Sequence, residues 1–337
     1  MNAAWLGLVA RSRGLAARLL DAPQLERLAR AADIETLAAG LVALGLAPAT
    51  ARPTAEALDA AVRRAAAASL AVLERWRPGD RRDPLALALA AEDRRSVRAL
   101  LRGAVAGVPA PERLAGLVPT PSLTERALAE LARQSAPGAV AALLLAWGHP
   151  YGPDLIEPAA GPHPDLYALE RALAGAWALR LVAGAGDAET RRWARREIDL
   201  ENTATALLLA RRGDDRDPAR AFLAGGERLT EAAFHAAIAA GERSATVLAR
   251  ALAGEPIGRL LARGLRDPAL ADFEHAALLA HLAAERRRAR RAPLGAAPVI
   301  AFLLGVRAQV VALARLVWAV ALGAPPAARR MAVEAAG

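Results

Sequence analysis

An all-α chain made of three tandem helical units is the fold this sequence predicts, and three observations predict it. The first is an internal repeat. Leu123-Thr124-Glu125 followed by Gly148-x-Pro150-x-Gly152 recurs as Leu229-Thr230-Glu231 followed by Gly254-x-Pro256-x-Gly258. One offset fits both anchors without a gap, since 229 − 123 and 254 − 148 both equal 106. A period of that length exceeds a solenoid unit and suits a small helical domain. The second observation is apolar spacing at three and four residues, with little of the alternation that marks strands. The third is composition: Ala makes up roughly a quarter of the chain and is joined by Leu and Arg, residues that lose little side-chain entropy in a helix.

The elements follow in order through units at 1–112, 113–218 and 219–337. In the first, Leu25, Leu28 and Ala32, then Ile34, Leu37 and Leu41, keep helical spacing along one buried face. At the same offset Leu131, Val140 and Leu143 fall on Leu25, Ile34 and Leu37, which makes this a faint first copy. Ala55-Glu56 opens the next helix, as Leu169-Glu170 and Phe273-Glu274 do later, and Asp93-x-x-Ser96-Val97 marks the one after it. In the second unit Thr124 is placed to cap a helix, with Leu123 packing on Leu128 as a hydrophobic staple. Pro and Gly at 148–153 break the following helix, and Asp199-x-x-Asn202-Thr203 stands 106 residues beyond Asp93. The third unit repeats the cap and staple with Leu229, Thr230 and Phe234 and the break at 254–258. Its last marker, Gln309-x-x-Ala312-Leu313, needs an offset of 110, because 309 − 199 = 110, and has lost its acid.

Composition excludes several kinds of chemistry. The chain has no Cys, and all 44 of its basic residues are Arg. That removes thiolate metal sites, disulfide frameworks, the Walker-type phosphate loop, the Schiff-base lysine and the kinase lysine. Residues Met1 to Ala10 lack a basic leader, which predicts a cytoplasmic protein. The apolar stretch from Pro298 to Pro325 is interrupted by Arg307 and Arg315, so it reads as a buried helix, not a membrane span.

Candidate sites are few. His149, His163, His235, His275 and His281 include no i, i+4 pair that would bind zinc on a helix, and they read as surface or loop residues. Gly184-Ala185-Gly186 follows no strand and lacks the third Gly of a dinucleotide loop, so it reads as a connection. Asp214, Asp215 and Asp217 have the chemistry to hold Mg²⁺, but among Arg212, Arg216 and Arg220 they read as a solvated turn. Arg286, Arg287, Arg288, Arg290 and Arg291 form the densest basic run in a chain of net charge +9. It reads first as a solvated helix face, then as a site for an acidic protein, then for nucleic acid or lipid; few aromatics are present to stack on bases. Asp93 and Asp199, being duplicated, read as structural residues that cap a helix or pair with Arg. No catalytic, cofactor-binding or metal residue is assigned.

Three units, each with a Glu-led helix followed by an Asp-x-x-Asn-like helix rich in Leu and Arg, resemble the C-type subunits of the V/A-type ATPases and their eukaryotic d-type relatives. The resemblance is strongest over Glu197-Ile198-Asp199-Leu200-Glu201-Asn202, continuing through Leu207 to Arg211, and extends to the segment from Pro298 through Leu303-Leu304 to Arg315. Gln309 and Ala312 stand where the family usually has Glu and Asn. The resemblance implies a funnel of three pseudo-threefold-related bundles. It would be a non-catalytic rotor component without a cofactor, seated peripherally on the membrane ring of ion-carrying subunits, gripping the central shaft and binding no nucleic acid. Two other classes stay open: a helical scaffold for an unrelated complex, and an isoprenoid-type helical enzyme that would use Asp214, Asp215 and Asp217.

Overall fold

The computed structural model describes residues 3–77, 84–161, 163–212, 220–263 and 270–333. Those residues contain helices and no strand, so the chain is all-α. Chain order begins with α1 (Ala3–Ala16), α2 (Ala22–Ala29), α3 (Ile34–Ala43), α4 (Ala55–Glu74) and α5 (Pro84–Val105). It continues with α6 (Ala110–Leu114), α7 (Glu125–Ala132), α8 (Pro137–Ala146), α9 (Gly152–Ile156), α10 (Leu166–Gly184) and α11 (Ala188–Arg212). The rest is α12 (Glu231–Ala239), a 3-10 turn at Gly241–Arg243, α13 (Ser244–Ala251), α14 (Pro256–Ala262), α15 (Leu270–Arg291), α16 (Ala297–Ala321) and α17 (Pro326–Val333). Three times, therefore, short helices run into two long ones: α4 and α5, α10 and α11, α15 and α16.

Local chemistry sets the starts of the short helices. Thr124 and Thr230 accept from the N–H groups of Ala127 and Ala233 at 3.3 and 3.2 Å, satisfying donors the helix leaves open. Leu123 and Leu128, and Leu229 and Phe234, are all buried, as a staple at each start requires. In the first copy Asp21 takes the cap position and accepts from Gln24 N–H, while Gln24 returns a bond to Asp21 N–H. Leu20 and Leu25 are the buried residues that flank it.

These caps correct the register of the first copy. Asp21 corresponds to Thr124, Ile34 to Pro137, and Gly45 (φ 69°) to Gly148 (φ 66°), so the offset is 103: 124 − 21, 137 − 34 and 148 − 45 all give it. The 106 offset expected here slips by three residues. Three residues is close to one helical turn, so a slipped alignment still lays Leu on Leu. The same slip affects the markers of the longer helices. Leu169 and Phe273 sit three residues inside α10 and α15, and the matching place in α4 is Leu58, with buried Asp59 beside it, in place of Ala55-Glu56.

Each short-helix pair turns sharply where glycine was expected to break it. A Cβ on Gly152 would lie 2.5 Å from Leu145 N, and one on Gly258 would overlap Leu252 O. Backbone at the end of one helix thus passes directly against the start of the next, and only glycine leaves the room.

The chain divides into two compact units. One comprises Met1–Pro78, Ala88–Leu173 and Gly305–Gly337, and the other Gly79–Leu87 and Ala174–Leu304. The first unit has Leu8, Leu25, Leu37, Leu41, Leu58 and Leu73 fully buried; the second is built around Trp177, Phe234, Phe273 and Phe302. α16 is long and apolar enough to cross a membrane, but its most apolar window is 78% buried within the protein, which is how a core helix passes that test. Arg307, one of the two charges interrupting it, pairs with Glu92.

Candidate functional site

The residues the repeat singles out meet the loops that lead into the short helices. Asp93 on α5 accepts from the hydroxyls of Thr120 and Ser122, both at 2.5 Å, and Thr120 Oγ1 in turn accepts from Leu123 N–H at 3.0 Å. Asp199 on α11 accepts three backbone N–H groups, from Glu227, Arg228 and Leu229, at 3.0, 2.8 and 3.1 Å. Gln309 on α16 accepts from Leu20 N–H at 2.8 Å. Each clasp reaches the residue just before a helix cap: Leu123 before Thr124, Leu229 before Thr230, Leu20 before Asp21. The last long helix of copy one holds the start of copy two, that of copy two holds copy three, and that of copy three holds copy one.

The three clasps solve one problem with different chemistry. Gly226 makes the second feasible, because a Cβ there would collide with Asp199 Oδ1. Burial pushes the Asp199 carboxyl above its ordinary range, opposed by its three backbone donors. Both acids are structural, as their duplication suggested, but they hold loops and are not helix caps. Gln309 has lost the charge and kept the acceptor. Asn202 adds a second grip in copy two, donating to Leu223 O at 2.8 Å and accepting from Leu223 N–H at 2.9 Å. Ser96 and Ala312, its counterparts, lack an amide to do so.

A second set of contacts repeats the cyclic order. Arg113 on α6 donates to Val108 O and, at 2.6 Å, to Gln134 O just after α7. Arg329 on α17 donates to Ala324 O at 2.7 Å and to Ala31 O just after α2. The offsets agree throughout: 329 − 113 and 324 − 108 are 216, the sum of 106 and 110, while 134 − 31 is 103. The counterpart in copy two, near residue 219, lies outside the described residues.

Ion pairs join the longer helices. Glu92 on α5 accepts from Arg307 at 2.7 and 2.9 Å and from Arg95 at 3.1 Å. Burial would push its carboxyl up, but the Arg307 and Arg95 guanidiniums outweigh that and hold it below the usual range. Glu170 on α10 receives both arms of Arg102, and buried Asp59 takes Arg63 at 3.0 Å. Burial pushes Asp59 up, against the opposing charge of Arg63.

His281, buried on α15, departs from the expectation of surface or loop positions, whereas His149 is buried but lies in the loop between α8 and α9. His149 Nε2 lies 3.7 Å from Asp93 Oδ2, and His281 Nδ1 lies 3.3 Å from Glu197 Oε1, all four residues being buried. Two others, His235 and His275, are partly buried, and His163 is exposed. Gly184 ends α10 and Gly186 lies in the link to α11. The Arg run is divided by helix geometry: Arg288 turns in to Glu285 at 2.5 Å, Arg286 is partly buried, and Arg287, Arg290 and Arg291 are exposed. Burial, then the Arg290 charge, pulls Arg286 below its usual value. Asp214, Asp215 and Asp217 lie outside the described residues. Among the described residues no group of three or more His, Asp or Glu side chains is arranged to hold a metal ion.

A sequence model of the ATP synthase (C/AC39) subunit family matches residues 8–328, nearly the whole chain. The C-type subunit of the A-type ATP synthase of Halorubrum lacusprofundi is 32% identical over 149 residues, which is 43% of this chain and 43% of that protein. The chain thus aligns with less than half the length of that relative.

Proposed function

The chain belongs to the ATP synthase (C/AC39) subunit family, and from that premise we propose that it is a non-catalytic central-stalk component of a V/A-type ATPase or ATP synthase. In this reading it joins the shaft to the membrane ring of ion-carrying subunits and turns with the rotor. It couples ATP hydrolysis or synthesis to proton or sodium movement, staying peripheral to the membrane. The observation that carries the reading is the family match over residues 8–328.

The fine arrangement is part of the same proposal. Three units, 1–112, 113–218 and 219–337, would close around a pseudo-threefold axis as a funnel. The clasps support closure, because Gln309 and Arg329 return from the third copy to the first with the same bonding partners in sequence that Asp93 and Arg113 find in the second. Closure gives every unit a neighbour on both sides.

Purification of the membrane ATPase through a tag on this chain tests the assignment. The shaft and ring proteins should copurify in stoichiometric amounts. Recovery of this chain without the shaft and ring proteins, or with an unrelated complex, would refute the rotor role.

A further inference from the structure

Four guanidiniums at the end of α15 have no carboxylate partner among the described residues. Steps of about 100° per residue place Arg286, Arg290, Arg287 and Arg291 within an arc of about 140°, over about 8 Å of helix length. Arg288 falls outside that arc and turns in to Glu285. Arg286, partly buried, lies against the like charge of Arg290. The chain then turns at 292–295 into α16, with Pro293 and Leu294 exposed, Leu294 by 49%. Glu189 on α11 fixes that turn, accepting from Ala296 N–H at 2.6 Å and from Ala297 N–H at 3.3 Å. Gly295 leaves room for it, since a Cβ there would collide with the Glu189 carboxylate. An apolar tip is thus held in place just beyond a band of four cations.

We propose that this corner between α15 and α16 docks on an anionic lipid surface, the four Arg side chains binding the phosphates of acidic headgroups while Leu294 dips between the lipids. The chemistry favours lipid over other polyanions. Guanidinium meets phosphate oxygens through two parallel N–H bonds. A cluster of four basic residues beside an exposed apolar side chain suits an acidic leaflet. Nucleic acid would need aromatic side chains to stack on its bases, and the exposed Trp76 and Trp147 both belong to the other compact unit. An acidic protein would pair the guanidiniums but leave Leu294 in water. The site is independent of the rotor assignment, because the isolated chain would show it.

Flotation of the full chain with vesicles tests this, with phosphatidylcholine alone or mixed equally with phosphatidylglycerol. Salt is kept at about 0.15 M, where charges more than about 8 Å from the surface are screened. Wild type should bind the acidic vesicles and not the neutral ones. Each Arg near an acidic surface is worth about fivefold in affinity, so Arg286→Gln, Arg287→Gln, Arg290→Gln and Arg291→Gln together should weaken binding at least about fiftyfold. Removing as many exposed charges elsewhere, with Arg30→Gln, Arg52→Gln, Arg133→Gln and Arg250→Gln, should change it by less than about threefold. If the first variant does not fold, the substitutions at exposed Arg287, Arg290 and Arg291 alone replace it. The chain has no Cys, so Leu294→Cys takes a single environment-sensitive dye, whose emission should brighten and shift to the blue on acidic vesicles. Equal loss of binding in the two sets, no binding by the wild type, or a dye that stays water-like on the bound chain would overturn the proposal. Capture by polyglutamate without capture by vesicles would do the same and assign the corner to an acidic protein.

Discussion

Asp199 shows how much of the fold hangs on one acceptor. Replacing it by Ala strands three backbone donors, each worth about 1 kcal/mol, so a loss of about 3 kcal/mol is expected in urea unfolding of the full chain. A variant within about 0.5 kcal/mol of wild type would show that water replaces the carboxylate at no cost. Gln309 makes the complementary point. As letters, Asp93, Asp199 and Gln309 decay from acid to amide, and the sequence presents the last as degenerate. As chemistry the position needs only an oxygen facing a backbone N–H, so Gln309→Glu should preserve stability while Gln309→Leu costs about 1–2 kcal/mol. The two buried histidines were illegible for a related reason: pairing of His149 with Asp93 and of His281 with Glu197 depends on partners 56 and 84 residues away.

At the scale of elements, the caps and corners were readable because their causes are local. Thr230→Ala should cost about 1 kcal/mol, the usual value of a lost cap. Gly258→Ala should cost more, about 2–3 kcal/mol, since its Cβ would overlap Leu252 O and backbone has little freedom to give way. Circular dichroism melts of the two variants against wild type check the order. The register of the first copy was not readable in the same way. Its clearest signature, Leu20-Asp21, uses a different cap from Leu123-Thr124, and helix period makes a three-residue slip look acceptable. α16 was legible as buried despite its length, because Arg307 inside an apolar run signals an ion pair in a protein core.

Across the whole molecule, the repeat predicts matched behaviour at matched positions. Arg113→Ala should raise hydrogen exchange at the end of α7 and leave α2 unchanged, whereas Arg329→Ala should do the reverse. Uniform loosening of both helices by either substitution would mean that the two junctions are not equivalent. The existence of repeated units was legible from one unbroken offset, but the bonds linking the last copy to the first were not. Gln309 and Leu20 lie 289 residues apart, and no local pattern in either segment names the other.

That separation has a consequence for the order in which the chain is made. During translation, the loops at 120–123 and 227–229 meet clasps on α5 and α11, helices that have already left the ribosome. Leu20 has no such helix until α16 is synthesised. The earliest made of the three clasped loops is therefore the last to be secured, and a nascent chain stalled before α16 would present α2 incompletely held, as a client for chaperones.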